Sequence, residues 1–510
     1  MYSLRESFKG LFRPQAVVSS SSSPTTIMSP SHSMSSLAVR AHEMLDSILG
    51  AQETSSTTVA DNQARDLCHF YCNLIPEDKA VFLKTLAHDY GVDHNIILQI
   101  AQNLSMAQER GEGVLLKTEE RLKHALVPKY NLVFTQIGHL NDGVKFLVDM
   151  RADILHLLNT TCHSTDQDNP YLKSLINHLR DLIAIWFSVG FMTLERVTWE
   201  SACDVLQKIS EYEAVHPIRN WTDLKRRVGP YRRCYVFTHH SMPREPVVVL
   251  HTALTDEISN SIQSIVSHPG LEQESSVNGA RKEDPNSVNT AIFYSITSTQ
   301  KGLQGIELGN YLIKRVVQEL QSEFSQIQQF ASLSPIPGFR EWLLLEMNRY
   351  LHAEAAGEYP EQKLFTGREL QEIADNVGDT RDKSTIETIM KLIKTNNWAQ
   401  SEFLPDLLKE PLMRLCARYL YVEKRRGFAF NPVANFHLRN GAVMWRLNWL
   451  ADTTTRGLSA SCGMMINYCY FLEKTEENSK VYMEKHHIEA SPQILELVKA
   501  NVGIETKSHL

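Results

Sequence analysis

The 510-residue sequence has no apolar run long enough to cross a membrane and no excess of basic residues. A transmembrane helix needs about 20 consecutive apolar residues, and the best candidate, residues 182–192, is shorter and is typical of a buried helix segment. The formal charge of −7 argues against a dedicated nucleic-acid-binding protein, which would carry a basic excess. The sequence therefore predicts a soluble protein with no membrane span and no nucleic-acid partner.

A disulfide framework and the common hydrolase motifs are also missing. The eight cysteines are scattered, which favours a reducing interior. Cys68, His69 and Cys72 could begin a metal site, but no second pair at zinc spacing completes it, and we prefer a structural helix. The motifs GxSxG and HExxH are absent, as is a carboxylate cluster suited to a metal. Serine-hydrolase and metal-dependent chemistry therefore lose support, and we predict no metal site.

What is present divides the chain into three parts. Residues 1–35 are rich in serine and poor in acids, as organelle transit peptides and disordered tails both are. Over 36–195, apolar residues recur every three or four positions, which predicts an all-α bundle for docking or oligomerisation. Over 196–510, helical patterns alternate with strand patterns, such as 234–238, 247–254 and 443–449, which predicts an α/β or α+β domain around one sheet.

A basic run over 225–233 admits three interpretations: an anionic-ligand patch, a subunit interface or a solvated face. The solvated face is the commonest fate of such a run.

A glycine-bearing loop follows the strand pattern of residues 290–296. Glycines at 302, 305 and 309 precede a helical pattern that continues to Leu320. Glycine lets the backbone approach a ligand closely, and the free N–H groups of a helix N-terminus attract anions. A pyrophosphate is the natural occupant. An ordinary turn between strand and helix is the alternative, because the loop matches neither a Walker A motif nor a dinucleotide GxGxxG.

Two further segments could carry chemistry. Residues 330–339 hold two serines, two prolines and a glycine, and proline stiffens the backbone, so this loop suits the presentation of a hydroxyl at one place. A rigid connection without a chemical role is the alternative. Asn431 and Pro432 predict the start of a short helix that carries His437. An imidazole is a common proton donor, although a lone histidine is more often structural.

Six segments of the chain resemble the malonyl-CoA decarboxylase family. They are residues 225–234, 292–296, 302–309, 332–339, 431–438 and 461–468. The resemblance covers roughly residues 40–510 and is densest after residue 195. It implies an α+β fold, in which an N-terminal helical oligomerisation domain (36–195) precedes an acyl-CoA-binding catalytic domain (196–510) with the fold of acetyl-CoA-dependent N-acetyltransferases.

The resemblance also implies an activity: the conversion of malonyl-CoA to acetyl-CoA and carbon dioxide. No metal or organic cofactor is expected, since coenzyme A is part of the substrate. The implied partners are malonyl-CoA, acetyl-CoA and further copies of the chain, with a homotetramer as the expected assembly. An acyl-CoA-dependent acyltransferase of the same fold and a non-enzymatic acyl-CoA-responsive scaffold are the alternatives.

The family's functional residues map onto numbered positions here. The segment that binds the acyl-CoA corresponds to Gln304, Gly305, Ile306, Glu307, Leu308, Gly309 and Asn310. The catalytic pair corresponds to Ser334 and His437, with His437 as the proton donor and Ser334 as its hydrogen-bonded partner. Residues that match Ser295, Glu307 and Tyr470 line the same pocket. Because a carboxylate is a poor neighbour for a phosphate, we expect the Glu307 side chain to turn away from the pyrophosphate.

Two features depart from the family or bear on location. The chain ends in Ser508, His509 and Leu510, where the family often has Ser-Lys-Leu, a signal read by the peroxisomal import receptor. Together with the N-terminal composition, this predicts the mitochondrial matrix, the peroxisome or both, with the cytoplasm as a further compartment. The polar loop over 268–287 is longer than expected, and its role stays open.

Overall fold

The computed structural model describes residues 36–54, 57–160, 169–187, 191–266, 283–306, 309–357, 364–377 and 384–505. The N-terminal segment 1–35, the C-terminal tripeptide and most of the loop over 268–287 lie outside the described residues. Among the described helices, none combines the length and the apolar character that crossing a membrane requires. The described residues also contain no cluster of three or more His, Cys, Asp or Glu side chains placed to hold a metal ion.

The first part of the chain is helical. Its helices in the described ranges are α1 (Ser36–Thr54), α2 (Thr57–Cys72), α3 (Pro76–Asp89), α4 (His94–Ala107), α5 (Glu112–Ala125), α6 (Tyr130–Gly138), α7 (Gly143–Thr160) and α8 (Asn169–Trp186). α1 to α3 and α6 to α8 bury apolar side chains in one core, whereas α4 buries only Ala107 and α5 buries none. In α8 the buried residues Leu172, Leu175, Leu179 and Ile183 recur at helical spacing. The periodicity in this half of the sequence therefore reflects a shared helical core.

The second part mixes strands and helices. The strands are β1 (Met192–Val197), β2 (Arg232–His239), β3 (Val248–Thr255), β4 (Thr290–Ser298), β5 (Gln329–Ser332), β6 (Ser334–Pro335), β7 (Lys424–Arg425), β8 (Phe428–Ala429), β9 (Val443–Asn448) and β10 (Met465–Cys469). The helices are α9 (Cys203–Tyr212), α10 (Trp221–Arg227), α11 (Ile262–Val266), α12 (Gly309–Glu323), α13 (Phe339–Ala355), α14 (Gly367–Val377), α15 (Thr385–Thr395), α16 (Leu404–Tyr421), α17 (Pro432–Arg439), α18 (Thr455–Ser461), α19 (Thr475–Lys485) and α20 (Pro492–Glu505). The predicted fold class, a helical region followed by an α/β region, is confirmed.

The boundary between these regions stays a prediction, as does the likeness to N-acetyltransferases. β1 spans the proposed boundary at 195 and pairs with β2 along its whole length.

The main sheet has the strand order β1-β2-β3-β4-β5-β10-β6, with β9 beside β10. Neighbours from β1 to β4 are antiparallel, and α12 then carries the chain across to β5, which is parallel to β4. The parallel register runs from Thr290 opposite Gln329 to Phe293 opposite Ser332. Beyond that point β4 continues to Ser298, whereas β6 pairs with β10 instead. β4 and the segment that runs from β5 into β6 therefore diverge after Phe293, and a space opens between them.

The basic run over 225–233 is not a solvated face, so that interpretation is wrong for most of its charge. Arg227, Arg232 and Arg233 are buried. Arg233 forms ion pairs with Glu283 and Glu323, at nitrogen-to-oxygen distances of 2.8 and 2.6 Å. A buried guanidinium needs such partners because an unpaired charge in the interior is costly. Arg232 and Arg233 belong to β2, which lies between β1 and β3, so most of the charge of the run is held inside the fold.

Candidate active site

A cavity of about 540 Å³ occupies the space where β4 and β6 diverge. Its wall includes Phe293 and Ser295 from β4, Gly305 from the loop after β4, Ser334 from β6 and His437 from α17. Apolar side chains such as Leu250, Ile306, Leu312 and Val433 form much of the remaining wall. A largely apolar wall with a few convergent polar groups is typical of a small-molecule site.

Ser334 and His437 meet in this cavity. The Ser334 Oγ lies 2.8 Å from the His437 Nε2, and both side chains are buried. The Ser334 hydroxyl also donates to the Ser332 Oγ at 2.8 Å. The structure thus brings together two residues that lie about a hundred positions apart in sequence, and it places both at hydrogen-bonding distance in one pocket.

Two tyrosines from the β10 segment hold the other side of the imidazole. The Tyr470 hydroxyl lies 2.6 Å from His437 Nδ1. The Tyr468 ring stacks on the imidazole, with centroids 4.4 Å apart and an interplanar angle of 18°. Both ring nitrogens and one ring face of His437 are therefore engaged, which fixes the orientation of the ring.

The group formed by Ser334, His437 and Tyr470 is neutral at neutral pH. Burial lowers the pKa of His437 to about 3, and burial also raises the pKa of Tyr470 well above its ordinary value. A neutral imidazole has one donor and one acceptor nitrogen. When Ser334 donates to Ser332, it accepts from Nε2–H, and Nδ1 then accepts from the Tyr470 hydroxyl. The result is a continuous chain of hydrogen bonds along which a proton can move.

Asn431 connects the serine loop to the histidine helix. Its Oδ1 accepts the N–H of Ala434 at 2.9 Å and so caps α17, as predicted, with Pro432 at the first helical position. Its Nδ2 donates to the Pro337 carbonyl at 2.9 Å, and the Tyr419 hydroxyl donates to the same oxygen. One side chain therefore starts the helix that carries His437 and ties it to the loop that carries Ser334.

The loop over 302–310, which the sequence predicts to bind an anion and which we call the anion loop, lies at the cavity, although only part of it is described. Gly305, with φ of +79°, and Ile306 line the cavity, whereas Glu307 and Leu308 fall outside the described residues. The backbone of Gly309 and Asn310 opens α12. The Gln304 carbonyl accepts a hydrogen bond from Arg151 of α7, so its backbone turns away from the cavity. The expected orientation of the Glu307 side chain stays a prediction.

A second polar cluster forms the wall at Ser295. The Ser295 hydroxyl lies 2.8 and 2.9 Å from the two Glu213 carboxylate oxygens, and His251 Nε2 lies 3.4 Å from one of them. Glu213 Oε1 also accepts the N–H groups of Val215 and His216. Burial alone would raise the pKa of Glu213, but the neighbouring His251, His216 N–H and Ser295 hydroxyl lower it. Burial lowers the pKa of His251 to about 4. The cluster therefore holds a carboxylate and a neutral imidazole.

Sequence reasoning missed several of these residues. Tyr468 was within reach, because it lies two positions from Tyr470 and alternate strand residues share a face. Glu213, His251 and Arg151 offered no such signal, since each meets the site through a contact between distant parts of the chain.

Comparisons with known proteins identify one family. The family model for the malonyl-CoA decarboxylase C-terminal domain matches residues 190–508, and the model for the N-terminal domain of the same family matches residues 90–187. The mitochondrial malonyl-CoA decarboxylase of Rattus norvegicus is 50% identical, over 86% of this chain and 86% of its own length. The protein of the same name from Anser anser anser is 48% identical, over 86% and 84%.

Two solved structures are similar over most of the chain. A malonyl-CoA decarboxylase from Rhodopseudomonas palustris gives a TM-score of 0.74 at 28% identity, covering 90% of this chain and 99% of that one. One from Agrobacterium vitis gives 0.70 at 26% identity, with the same coverage.

Proposed function

The chain belongs to the malonyl-CoA decarboxylase family, and from that premise we propose that it converts malonyl-CoA to acetyl-CoA and carbon dioxide through Ser334 and His437. It is an enzyme of the carboxy-lyase class. The observation that carries the proposed mechanism is the 2.8 Å contact between Ser334 Oγ and His437 Nε2 inside the cavity.

The chemistry requires two tasks of the protein. When the bond between the malonyl carboxylate and carbon two breaks, carbon dioxide leaves and its electron pair is delocalised onto the thioester oxygen as an enolate. The protein must stabilise that oxygen and then deliver a proton to carbon two. A donor aimed at developing charge contributes about 3 kcal/mol. Because the thioester itself accepts the electrons, the proposed reaction needs no metal and no organic cofactor.

We assign the proton delivered to carbon two to His437, with Ser334 as the partner that positions the imidazole and the malonyl group. The imidazole is neutral in the free protein, because burial lowers the pKa of His437 to about 3. A malonyl carboxylate bound in the same dry cavity favours the imidazolium and raises that pKa. Substrate binding therefore favours the protonation of His437, and the carbanion that remains after the loss of carbon dioxide accepts that proton.

The loop from Gln304 to Asn310 is proposed to bind the coenzyme A pyrophosphate. What supports this is the position of Gly305 and Ile306 in the cavity wall and the start of α12 at Gly309. A helix N-terminus with nearby glycine suits a phosphate. Ser295 lines the cavity, and Tyr470 bonds to His437, so both are proposed to border the acyl group.

The test is to incubate the protein with malonyl-CoA alone. Release of carbon dioxide and formation of an equal amount of acetyl-CoA, with no acceptor present, is the expected result. An acyltransferase of the same fold would instead require an amine and would produce an acylated amine. Loss of carbon dioxide release in both Ser334→Ala and His437→Ala, with retained binding of acetyl-CoA, would support the assigned pair. Full activity in either variant would overturn it.

We infer a mitochondrial location, since the relatives are named as mitochondrial proteins. Peroxisomal import through Ser508, His509 and Leu510 and a cytoplasmic pool are further proposals. We propose assembly into a homotetramer; apolar side chains exposed on the helical region, including Leu98 of α4 and Leu116 of α5, support association between copies but do not set their number. The mass in solution, measured by light scattering, tests the assembly.

A further inference from the structure

A residue of the helical region bonds to the backbone of the anion loop on the side that faces away from the cavity. Arg151 lies on α7 and is buried, with 4% of its surface exposed. Its guanidinium donates to the carbonyl of Gln304 at 2.9 Å and to the carbonyl of Gly302. Both acceptors are backbone atoms of the loop that follows β4, so the contact joins the two regions of the chain at the cavity.

The loop also approaches α7 too closely for a side chain. A Cβ atom built on Gly302 would lie 1.8 Å from the carbonyl oxygen of Val148, one turn before Arg151 on α7. That separation is far below van der Waals contact, and the obstacle is backbone, which cannot rotate away. Glycine at 302 and arginine at 151 are therefore two independent requirements of one contact.

This contact orients a peptide group toward the cavity. In a trans peptide, the carbonyl of one residue and the N–H of the next point in opposite directions. Because the Gln304 carbonyl is directed at Arg151, the N–H of Gly305 is directed away from α7, and Gly305 lines the cavity. The guanidinium also polarises this peptide group, which strengthens its N–H as a donor to an anion.

Arg151 keeps its charge in this position. Burial lowers the pKa of Arg151, and Arg180 lowers it further while Asp181 raises it. A guanidinium nevertheless stays protonated at neutral pH. Within the described ranges, the hydrogen-bond partners of Arg151 are carbonyl groups, so its charge is not cancelled by a carboxylate bonded to it.

We propose that Arg151 is a positioning residue for the coenzyme A moiety, through which the helical region sets the geometry and the potential of the anion loop. It does not touch the reacting atoms. The inference rests on the proposed function, and it gives the helical region a part in substrate binding that is separate from assembly. The ligand chemistry that it serves is a pyrophosphate or phosphate, for which a directed N–H and a nearby cation are both favourable.

The experiment compares two substrates that share the reacting group. Malonyl-CoA carries the nucleotide and its phosphates, whereas malonyl-N-acetylcysteamine keeps the thioester and lacks the phosphates. For Arg151→Met, we expect KM for malonyl-CoA to rise about tenfold while kcat changes less than about twofold. We expect kcat/KM for malonyl-N-acetylcysteamine to stay within about twofold of the wild-type value.

Two further variants and one control sharpen the comparison. Gly302→Ala disturbs the same contact from the loop side and should raise KM for malonyl-CoA selectively, as Arg151→Met does. Arg151→Lys keeps the charge but not the fork that reaches two carbonyls, so its KM should lie between wild type and Arg151→Met. Lys145→Met removes a cation of the same helix that pairs with Asp149 at the surface, and it should leave both substrates unaffected.

The outcomes separate this inference from the proposed function. If the wild-type protein releases no carbon dioxide from either substrate, the proposed function fails. If the wild type is active but the variants lose both substrates equally, or neither, Arg151 has only a structural role or none in binding, and the inference is overturned. Should Arg151→Met not fold, Arg151→Lys and Gly302→Ala decide the question by the same substrate ratio.

Discussion

Two groups that each contain a serine and a histidine lie at the cavity, and only one of them contains a carboxylate. Ser334 bonds directly to His437 Nε2, and the Tyr470 hydroxyl bonds to His437 Nδ1. Ser295 bonds instead to the carboxylate of Glu213, and His251 approaches that carboxylate without bonding to the serine. Both imidazoles are buried, and burial lowers the pKa of each, to about 3 in His437 and about 4 in His251.

The difference suits the two groups to different tasks. Among the described residues, no carboxylate bonds to Ser334 or His437, so their network is neutral and its protons can shift in either direction. In the other group the negative charge of Glu213 is fixed by two backbone N–H groups and by the Ser295 hydroxyl. Ser295 therefore presents only an acceptor to the cavity. We infer that the first group performs the chemistry and that the second shapes the substrate site.

The largest expected effect is that of His437→Ala. Removal of the proposed proton donor should reduce kcat by about 100-fold to about 10,000-fold, the usual range for a general acid. Affinity for acetyl-CoA, measured by calorimetry, should change little because the anion loop is untouched. His251→Phe is the matched variant: it keeps an aromatic ring next to Tyr294 and should lower kcat by no more than about threefold. Equal losses in the two variants would remove the distinction between the groups.

The two serines provide the next test. Ser334→Ala removes the hydroxyl that accepts from the imidazole and borders the substrate, and kcat should fall by about 100-fold because the proton donor is then misplaced. Ser295→Ala removes an acceptor from the wall, and its effect should be confined to KM and stay below about tenfold. Steady-state kinetics with malonyl-CoA measure both. A larger loss of kcat in Ser295→Ala than in Ser334→Ala would reverse the assignment.

Local patterns in the sequence were enough to predict several elements around the cavity. A short apolar run of β-branched and aromatic residues predicted β4, and glycine followed by apolar periodicity predicted α12. The pairing of Asn431 with Pro432 predicted the start of α17, which is confirmed by the cap. Such signals are local because they arise from backbone hydrogen bonds and from one buried face. The proximity of Ser334 and His437 came from the family resemblance, and no local rule supplies it.

The second group and the Arg151 contact could not be predicted in this way. Glu213 follows the end of α9, and nothing in its neighbourhood indicates that a serine of β4 will meet it. The basic run at 225–233 shows the same limit, because exposure was predicted where the fold buries most of the charge. Its composition indicated a solvated face, but the acids that neutralise Arg233 come from residues 283 and 323. Burial of a charge depends on partners that only the tertiary fold brings close.

A smaller effect is expected when the charge of the second group is removed. In Glu213→Gln the backbone N–H groups keep an acceptor, but Ser295 is no longer committed to a carboxylate and can turn its proton to the cavity. We expect KM for malonyl-CoA to rise by about fivefold, with kcat within about threefold of wild type. The buried network should also lose about 1–3 kcal/mol in the free energy of unfolding. Glu195→Gln, at an exposed carboxylate that accepts from Thr238, serves as the control.

A collapse of kcat in Glu213→Gln, comparable with that of His437→Ala, would show that the carboxylate takes part in the chemistry. The separation of the two groups would then be wrong.

The smallest effect concerns stability and pH, and it treats the two histidines alike. The pKa of each is lowered in the folded protein, to about 3 and about 4, against an ordinary value near 6.5. Between about pH 4 and 6.5 the unfolded chain binds protons at these positions and the folded chain does not. Their contribution to stability is therefore complete above this range and is lost as the pH falls through it.

Denaturant unfolding of wild type, His437→Phe and His251→Phe at pH 7.5 and pH 5 measures this contribution. Each variant removes one group that the folded state keeps unprotonated, so its free energy of unfolding should fall less on acidification than that of wild type. Near pH 5, the free energy of unfolding of each variant should fall by about 1 kcal/mol less per pH unit than that of wild type. A steeper fall of the free energy of unfolding with pH in either variant would mean that the replaced imidazole is charged in the folded protein. If His437→Phe showed it, the neutral hydrogen-bond chain assigned to His437 would be wrong.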